Sequence, residues 1–268
     1  MSAPPETNVA LATSFSNGEA LAEYCRETFP DAADVSEKVS DTQGGRRSAE
    51  DCLAAIDPTA YGRTRNHYDG AVTRLSPYLR HGVLSLAEVR DHVTSRVGSP
   101  RQAEKLLQEL AWRDYYRRVL DQLGEGVWED IESYKTGYDP EDYADELPED
   151  FLTASTGNDF VDGTVTELHQ TGYLHNQGRM KIAAYVVHWR RVKWQAGARW
   201  MLSHLLDGDV ASNNLSWQWV ASTFAAKPYI FNLENLLRWT GGRFTGRDAD
   251  GGSPFDASYD ELNDRLFA

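Results

Sequence analysis

Residues 207–219 read Asp-Gly-Asp-Val-Ala-Ser-Asn-Asn-Leu-Ser-Trp-Gln-Trp, which gathers two carboxylates, two asparagines and two indoles into one short stretch. Aspartates on either side of Gly208 suit a tight turn after a helix, and Ser212 and Asn213 are N-cap residue types for a second one. In that second helix Asn213 and Trp217 are four apart and share a face. A planar amide beside an indole meets the needs of a flat, redox-active ring: a hydrogen-bond partner for a ring nitrogen and an electron donor at its edge. The same residues also suit a helical hairpin with a Trp-rich core, since Trp is usually well buried.

Three further constellations accompany this one. Glu109, Trp112, Arg113 and Tyr116 fall at i, i+3, i+4 and i+7, one stripe of a helix that Leu106, Leu107 and Leu110 can anchor to a core. That stripe could line a cavity for a stacked aromatic ligand, or form an ion-paired surface helix. Asn176, Arg179 and Met180 share a face that small residues Ala183 and Ala184 continue, and Arg179 is placed to pair with Asp207 or Asp209. Thr73 and Ser76 are hydroxyls at a helix start, an arrangement that suits a phosphate, although capping alone also accounts for it.

The elements that must position these groups read as helices. The patterns predict helices over Gly18–Thr28, Ser48–Ile56, Leu86–Val97, Ala103–Leu123, and over about 159–171, 175–193, 196–206 and 213–224, with a further start at Pro77. Asp57–Pro58 reads as a stop, 59–75 as loop, and 125–150 as loop with short turns. No alternating strand series occurs, so the expected fold is all-α. The expected division is a polar arm or linker at 1–43, a helical domain at 44–240 and a Gly- and Asp-rich tail at 241–268.

Composition narrows the function classes. No run approaches 18 apolar residues and no signal sequence opens the chain, so neither a membrane span nor a secreted form is expected. Cys25 and Cys52 form no metal-type pair and no H-x-x-x-H occurs, so no metal is expected, and a disulfide-free cytoplasmic protein is the economical reading. The net charge of −14 argues against a nucleic-acid partner until its distribution is considered. Residues 60–120 carry 11 basic and 6 acidic groups, and 171–204 carry 6 basic and none acidic, so a basic face on an acidic body is available. Internal ion pairing would use the same arginines. With 21 Arg and only 6 Lys, the acid coat resembles that of proteins from salt-loaded cytoplasms.

Taken together and in order, five segments resemble the FAD-binding helical domain of the DNA photolyase and cryptochrome family. They are T-R-L-S-P-Y-L-R-H-G, E-L-A-W-R-D-Y-Y, T-G-N-D-F-V-D-G, T-G-Y-L-H-N-Q-G-R-M and D-G-D-V-A-S-N-N-L-S-W-Q-W-V-A-S-T, spread over roughly residues 44–240. The resemblance implies FAD held bent inside an all-α domain. It places Tyr61, Thr73 and Ser76 at the phosphates, Arg179, Asp207 and Asp209 around the isoalloxazine and ribityl region, and Asn213 at flavin N5. It implies a substrate in UV-damaged DNA, a cyclobutane pyrimidine dimer flipped into a cavity lined by Glu109, Trp112, Asn176, Met180 and Trp219, with Arg65 near a DNA phosphate. Electron supply to the flavin would run through Trp217 as inner and Trp194 as middle member of a Trp chain.

Some positions depart from the family pattern. Residues 1–43 supply only a linker where the family has an α/β antenna domain, so no second chromophore is expected, and a separate antenna or signalling protein is a candidate partner for an otherwise monomeric chain. The outermost Trp has no match; Tyr138 and Tyr143 are the nearest aromatics. Val72 stands where a phosphate-binding hydroxyl is usual, Gln177 where many photolyases carry a basic DNA contact, and the segment after Trp219 is short. Three functions follow: a light-driven photolyase acting on pyrimidine dimers, a cryptochrome-like sensor that binds FAD without repair, and a flavin-free helical fold.

Overall fold

The structure, a computed structural model, describes residues 11–30 and 40–268. The chain divides into two compact units, 1–37 and 38–268. In the first, α1 (Gly18–Thr28) starts where the Asn17 side chain accepts from the Ala20 N–H at 2.9 Å. Its Tyr24 ring lies 5.1 Å from that of Phe15.

In the second unit all regular structure among the described residues is helical, as expected for an all-α protein; only two isolated bridges occur. The first helices are α2 (Arg46–Ala54), α3 (Pro58–Thr64), α4 (Ser76–Arg80), α5 (Leu86–Ser95) and α6 (Glu104–Leu123). They close over a core that includes Ala49, Val89, Val93 and Leu106. Then come α7 (Glu149–Leu152), α8 (Asp159–Thr171), α9 (Asn176–Ala184), α10 (Trp194–His204) and α11 (Val210–Ala221), and finally α12 (Leu233–Thr240) and α13 (Tyr259–Leu266). These surround a larger core built on Phe160, Val187, Trp194, Trp217, Phe231 and Phe255.

Three differences from the sequence expectations have local causes. Asp57–Pro58 does end α2, but it also begins α3: the Asp57 carboxylate accepts from the Thr59 and Ala60 N–H groups at 2.9 Å each, and Pro58 takes the first turn. Tyr61 therefore sits on a helix rather than in a loop. The helix expected over 175–193 is α-helical only to Ala184 and widens into a π turn over Tyr185–Trp189. Residues 241–268, expected as a tail, contain α13 and bury Phe255 and Leu262 completely. The Asn158 amide donates to Gly246 O (3.1 Å) and Asp248 Oδ1 (2.8 Å), tying this segment to the start of α8. Gly246 has φ +66°, and a Cβ there would strike Leu236, so glycine is required at that corner.

α11 is the central element. Eight of its residues, from Ala211 to Ala221, are buried, including Asn214 and Gln218. Gln218 accepts from Ile131 N (3.1 Å) and donates to Val127 O (3.2 Å), so the acidic segment after α6 is pinned across this helix through a satisfied buried amide. No described helix is long and apolar enough to cross a membrane.

Candidate functional site

The α9, α10 and α11 helices and the inner stripe of α6 enclose a cavity of about 590 Å³. That falls in the usual range for small-molecule sites, about 300–1,000 Å³. The α6 stripe contributes Glu109, Trp112, Arg113 and Tyr116, which fall at i, i+3, i+4 and i+7. The first turns of α9 contribute Asn176, Arg179 and Met180. Ser76 opens α4 at the edge, and Asp207, Asp209, Asn213, Trp217 and Trp219 complete the walls. The described residues include no cluster that could hold a metal ion.

The 207–209 turn is held by two separate charge systems. Arg179 donates to both Asp207 oxygens, at 2.8 and 3.1 Å, and Asp207 is 5 % exposed. Asp209 instead takes Arg113 at 3.3 Å and Arg117 at 3.2 Å. Asp209 rather than Ser212 or Asn213 is the N-cap of α11, accepting from the Ser212 N–H at 3.0 Å. A carboxylate at that end also gains from the helix dipole. Burial pushes the Asp209 carboxyl up, but the Ser212 N–H and the Arg113 charge outweigh it and hold the group below its ordinary value. Burial moves the Arg113 guanidinium the opposite way to Asp209's attraction and leaves it lowered. Arg117 was not singled out from the sequence; its signal was the i,i+4 spacing from Arg113.

Asn213 and Trp217 both face the cavity. The Asn213 amide nitrogen donates to Ala198 O (3.0 Å) and Asn214 Oδ1 (3.1 Å), so its two hydrogens are used inside the protein and a ligand would meet the amide oxygen. The Trp217 Nε1–H is buried without a protein partner. The benzo edge of Trp217 rests on Gly197 of α10, where a Cβ would overlap the ring. Gly197→Ala is therefore expected to cost about 1–3 kcal/mol by overpacking. The urea midpoint and the near-UV dichroism of Trp217 would both move; an unchanged spectrum would show that the ring is not seated on this glycine.

Four expected site residues lie off the cavity wall. Trp194 is fully buried behind it, with its Nε1–H on Asp130 Oδ1 at 2.6 Å. Arg65 holds Glu109 in an ion pair at 2.8 Å, so it is engaged at the cavity's shoulder. Tyr61 is close to both; burial first, and then the Glu109 charge, push its phenol up to about 12. The Thr73 hydroxyl accepts from Leu75 N at 3.4 Å, a local turn contact.

Gln177, on α9, points inward: it is 6 % exposed and accepts from Lys181 Nζ. Trp112 and Trp219, by contrast, are 52 % and 40 % exposed at the mouth.

The walls suit FAD. The cavity presents an orphaned indole N–H, an amide oxygen and a paired guanidinium, which match the mixed donor and acceptor edge of a flavin and its ribityl chain.

Comparison with known proteins agrees. The family profile described as the FAD binding domain of DNA photolyase matches residues 106–241. A deoxyribodipyrimidine photo-lyase of Streptomyces griseus is 37 % identical over 154 residues, 57 % of this chain and 32 % of that protein. A Synechocystis cryptochrome structure superposes with a TM-score of 0.65 at 26 % identity, over 75 % of this chain and 44 % of that one. An archaeal photolyase from Sulfolobus tokodaii, described with two FAD molecules, gives a TM-score of 0.64 at 25 % identity, over 86 % and 57 %. The chain spans about a third of the length of the curated relatives it matches. It belongs to the photolyase and cryptochrome family as an FAD-binding helical domain.

Proposed function

We propose that this protein is a light-driven FAD enzyme that splits cyclobutane pyrimidine dimers in UV-damaged DNA. The observation that carries the reading is the composition of one cavity. Its inner wall holds Asn213 and Trp217, and its outer wall holds Glu109, Asn176 and Met180 under the exposed rings of Trp112 and Trp219. Bound FAD would supply light absorption and one-electron chemistry. The residues of this chain then divide the remaining work. Arg179, fixed by Asp207, orients the cofactor's polar chain, and the Asn213 oxygen accepts from a protonated ring nitrogen. Trp217 and, behind it, Trp194 supply electrons. A dimer flipped from the duplex would stack on Trp112 and Trp219, while Glu109 and Asn176 hydrogen-bond its pyrimidine edges. Arg65 holds the Glu109 carboxylate at the cavity wall until substrate arrives.

The test is direct. Reduced, FAD-loaded protein is illuminated with blue light in the presence of a dimer-containing oligonucleotide, and restored thymines are counted by chromatography. Repair is expected. Trp112→Ala and Trp219→Ala should each weaken lesion binding by about 1–3 kcal/mol, the worth of one aromatic stack, while FAD stays bound. Full FAD occupancy with no restored thymine would sink the proposal.

One observation favours a second reading, a cryptochrome-like light sensor. Gln177 is turned inward onto Lys181 and Asn66, so this position offers no outward basic contact for a DNA strand. Photoreduction of bound FAD with no dimer repair would select it.

A further inference from the structure

Trp194 and Trp217 differ in one chemical respect. Both indoles are buried, at 0 % and 2 % exposure. The Trp217 Nε1–H has no protein partner. The Trp194 Nε1–H points at a carboxylate, Asp130 Oδ1, at 2.6 Å. That is a short bond even for a charge-assisted pair, which usually spans about 2.7–2.9 Å. Asp130 forms no ion pair among the described residues. Its other bond is from the Gln195 side-chain amide at 3.1 Å, a neutral donor. The charged or titratable neighbours that feel it are Lys193, whose ammonium pairs with Asp145 at 2.6 Å, and the Tyr134 phenol. Trp217 reaches the same helix: its ring lies on Gly197, three residues along α10 from Trp194.

We propose that Asp130 is the proton acceptor for Trp194 when that indole is oxidised. This rests on the proposed function, because the oxidant is Trp217 after the light-excited flavin has taken its electron. Trp194 gives one electron to the oxidised Trp217 ring. Its Nε1 proton moves along the existing hydrogen bond to Asp130 Oδ1. The products are a neutral Trp217, a neutral indolyl radical at Trp194 and a neutral carboxylic acid at Asp130. One electron has left the pair and no net proton has entered or left. An indole that has lost an electron is a far stronger acid than the parent, and a carboxylate at hydrogen-bond distance favours its deprotonation. The electron can then return only if the proton returns with it, so the oxidising equivalent rests at Trp194. Asp130 acts through Trp194 and is a positioning and proton-accepting residue, distinct from the groups that line the cavity.

The experiment is flash photolysis of the FAD-loaded full chain, with occupancy read first from its dark visible spectrum. Transient absorption should show the neutral indolyl radical, and light-minus-dark infrared spectra should show a new carboxylic-acid C=O stretch. Both signals should vanish in Trp194→Phe. In Asp130→Asn, a radical cation should replace the neutral radical and decay at least about tenfold faster, the factor that corresponds to one lost charge-assisted bond. In the dark, the Trp194 indole N–H proton resonance should move upfield in Asp130→Asn, a readout that needs no light chemistry. The wild-type protein alone can overturn the proposal. With FAD bound, a persistent radical cation, the absence of any Trp194 radical, or no acid C=O band each defeats it. An unchanged neutral radical in Asp130→Asn does the same. A dark spectrum without flavin would instead remove the proposed function itself, and this inference with it.

Discussion

Arg179→Ala is expected to lower the unfolding free energy by about 3–5 kcal/mol, the usual consequence of leaving a buried charge without its partner. The reason is asymmetric burial. The Asp207 side chain is 2 % exposed and receives both of its guanidinium bonds from Arg179, whose own side chain is 26 % exposed. Removing the arginine strands the carboxylate in the wall of the cavity. Removing the carboxylate strands a guanidinium that can turn to water and that also donates to Leu174 O at 2.9 Å. Asp207→Asn should therefore cost less, about 1–2 kcal/mol. The alanine variant should in addition fail to retain FAD through gel filtration, because the residue that faces the cofactor's polar chain is gone. Urea unfolding and the ratio of visible to ultraviolet absorbance check both statements. Equal costs for the two variants, or full flavin retention in Arg179→Ala, would show that this pair neither holds the turn nor meets the ligand.

The same pair shows how much the sequence can say. Arg179 was legible as a partner for either Asp207 or Asp209, because helical spacing put it on one face with Asn176 and Met180. The choice between the aspartates was not legible. It depends on Arg113 and Arg117, which approach Asp209 from 96 and 92 positions away and occupy it. Elements with their own period or cap are legible locally: α8 lies at 159–171. Local pattern is ambiguous where one residue serves two elements, as Asp57 does, or where a few apolar residues are scattered through polar sequence. Phe255 is an example, because it packs on partners such as Phe160 and Phe231 that no local pattern announces. The bond between Trp194 and Asp130, 64 positions apart, belongs to the same class. Family resemblance named the indole, but only the packed structure shows what its N–H meets.

Lys181→Met is expected to change stability with a sign that depends on pH. Lys181 is fully buried on α9, donates to Gln177 Oε1 at 2.5 Å, and has the Phe231 ring 5.5 Å away; no carboxylate among the described residues pairs with it. Burial pulls its ammonium down from 10.5 to about 7. Between those two values the unfolded chain binds a proton that the native state does not, so native stability rises with pH across this window. Below about pH 7 both states are protonated and the penalty is constant, on the order of 3–5 kcal/mol. Methionine removes that penalty but leaves Gln177 Oε1 without its donor, a loss of about 1–3 kcal/mol. At pH 7 the variant should therefore be more stable than the parent by about 2 kcal/mol, the difference between the middle of the removed penalty's range and that of the lost bond. Above about pH 10.5 the parent's neutral amine keeps its bond at no ionic cost, and the variant should be the less stable protein. Other lysines and tyrosines titrate in both chains and cancel in the difference. Paired urea titrations at several pH values read the crossing directly; parallel curves would mean that Lys181 keeps its proton throughout and that a charge is tolerated inside this core.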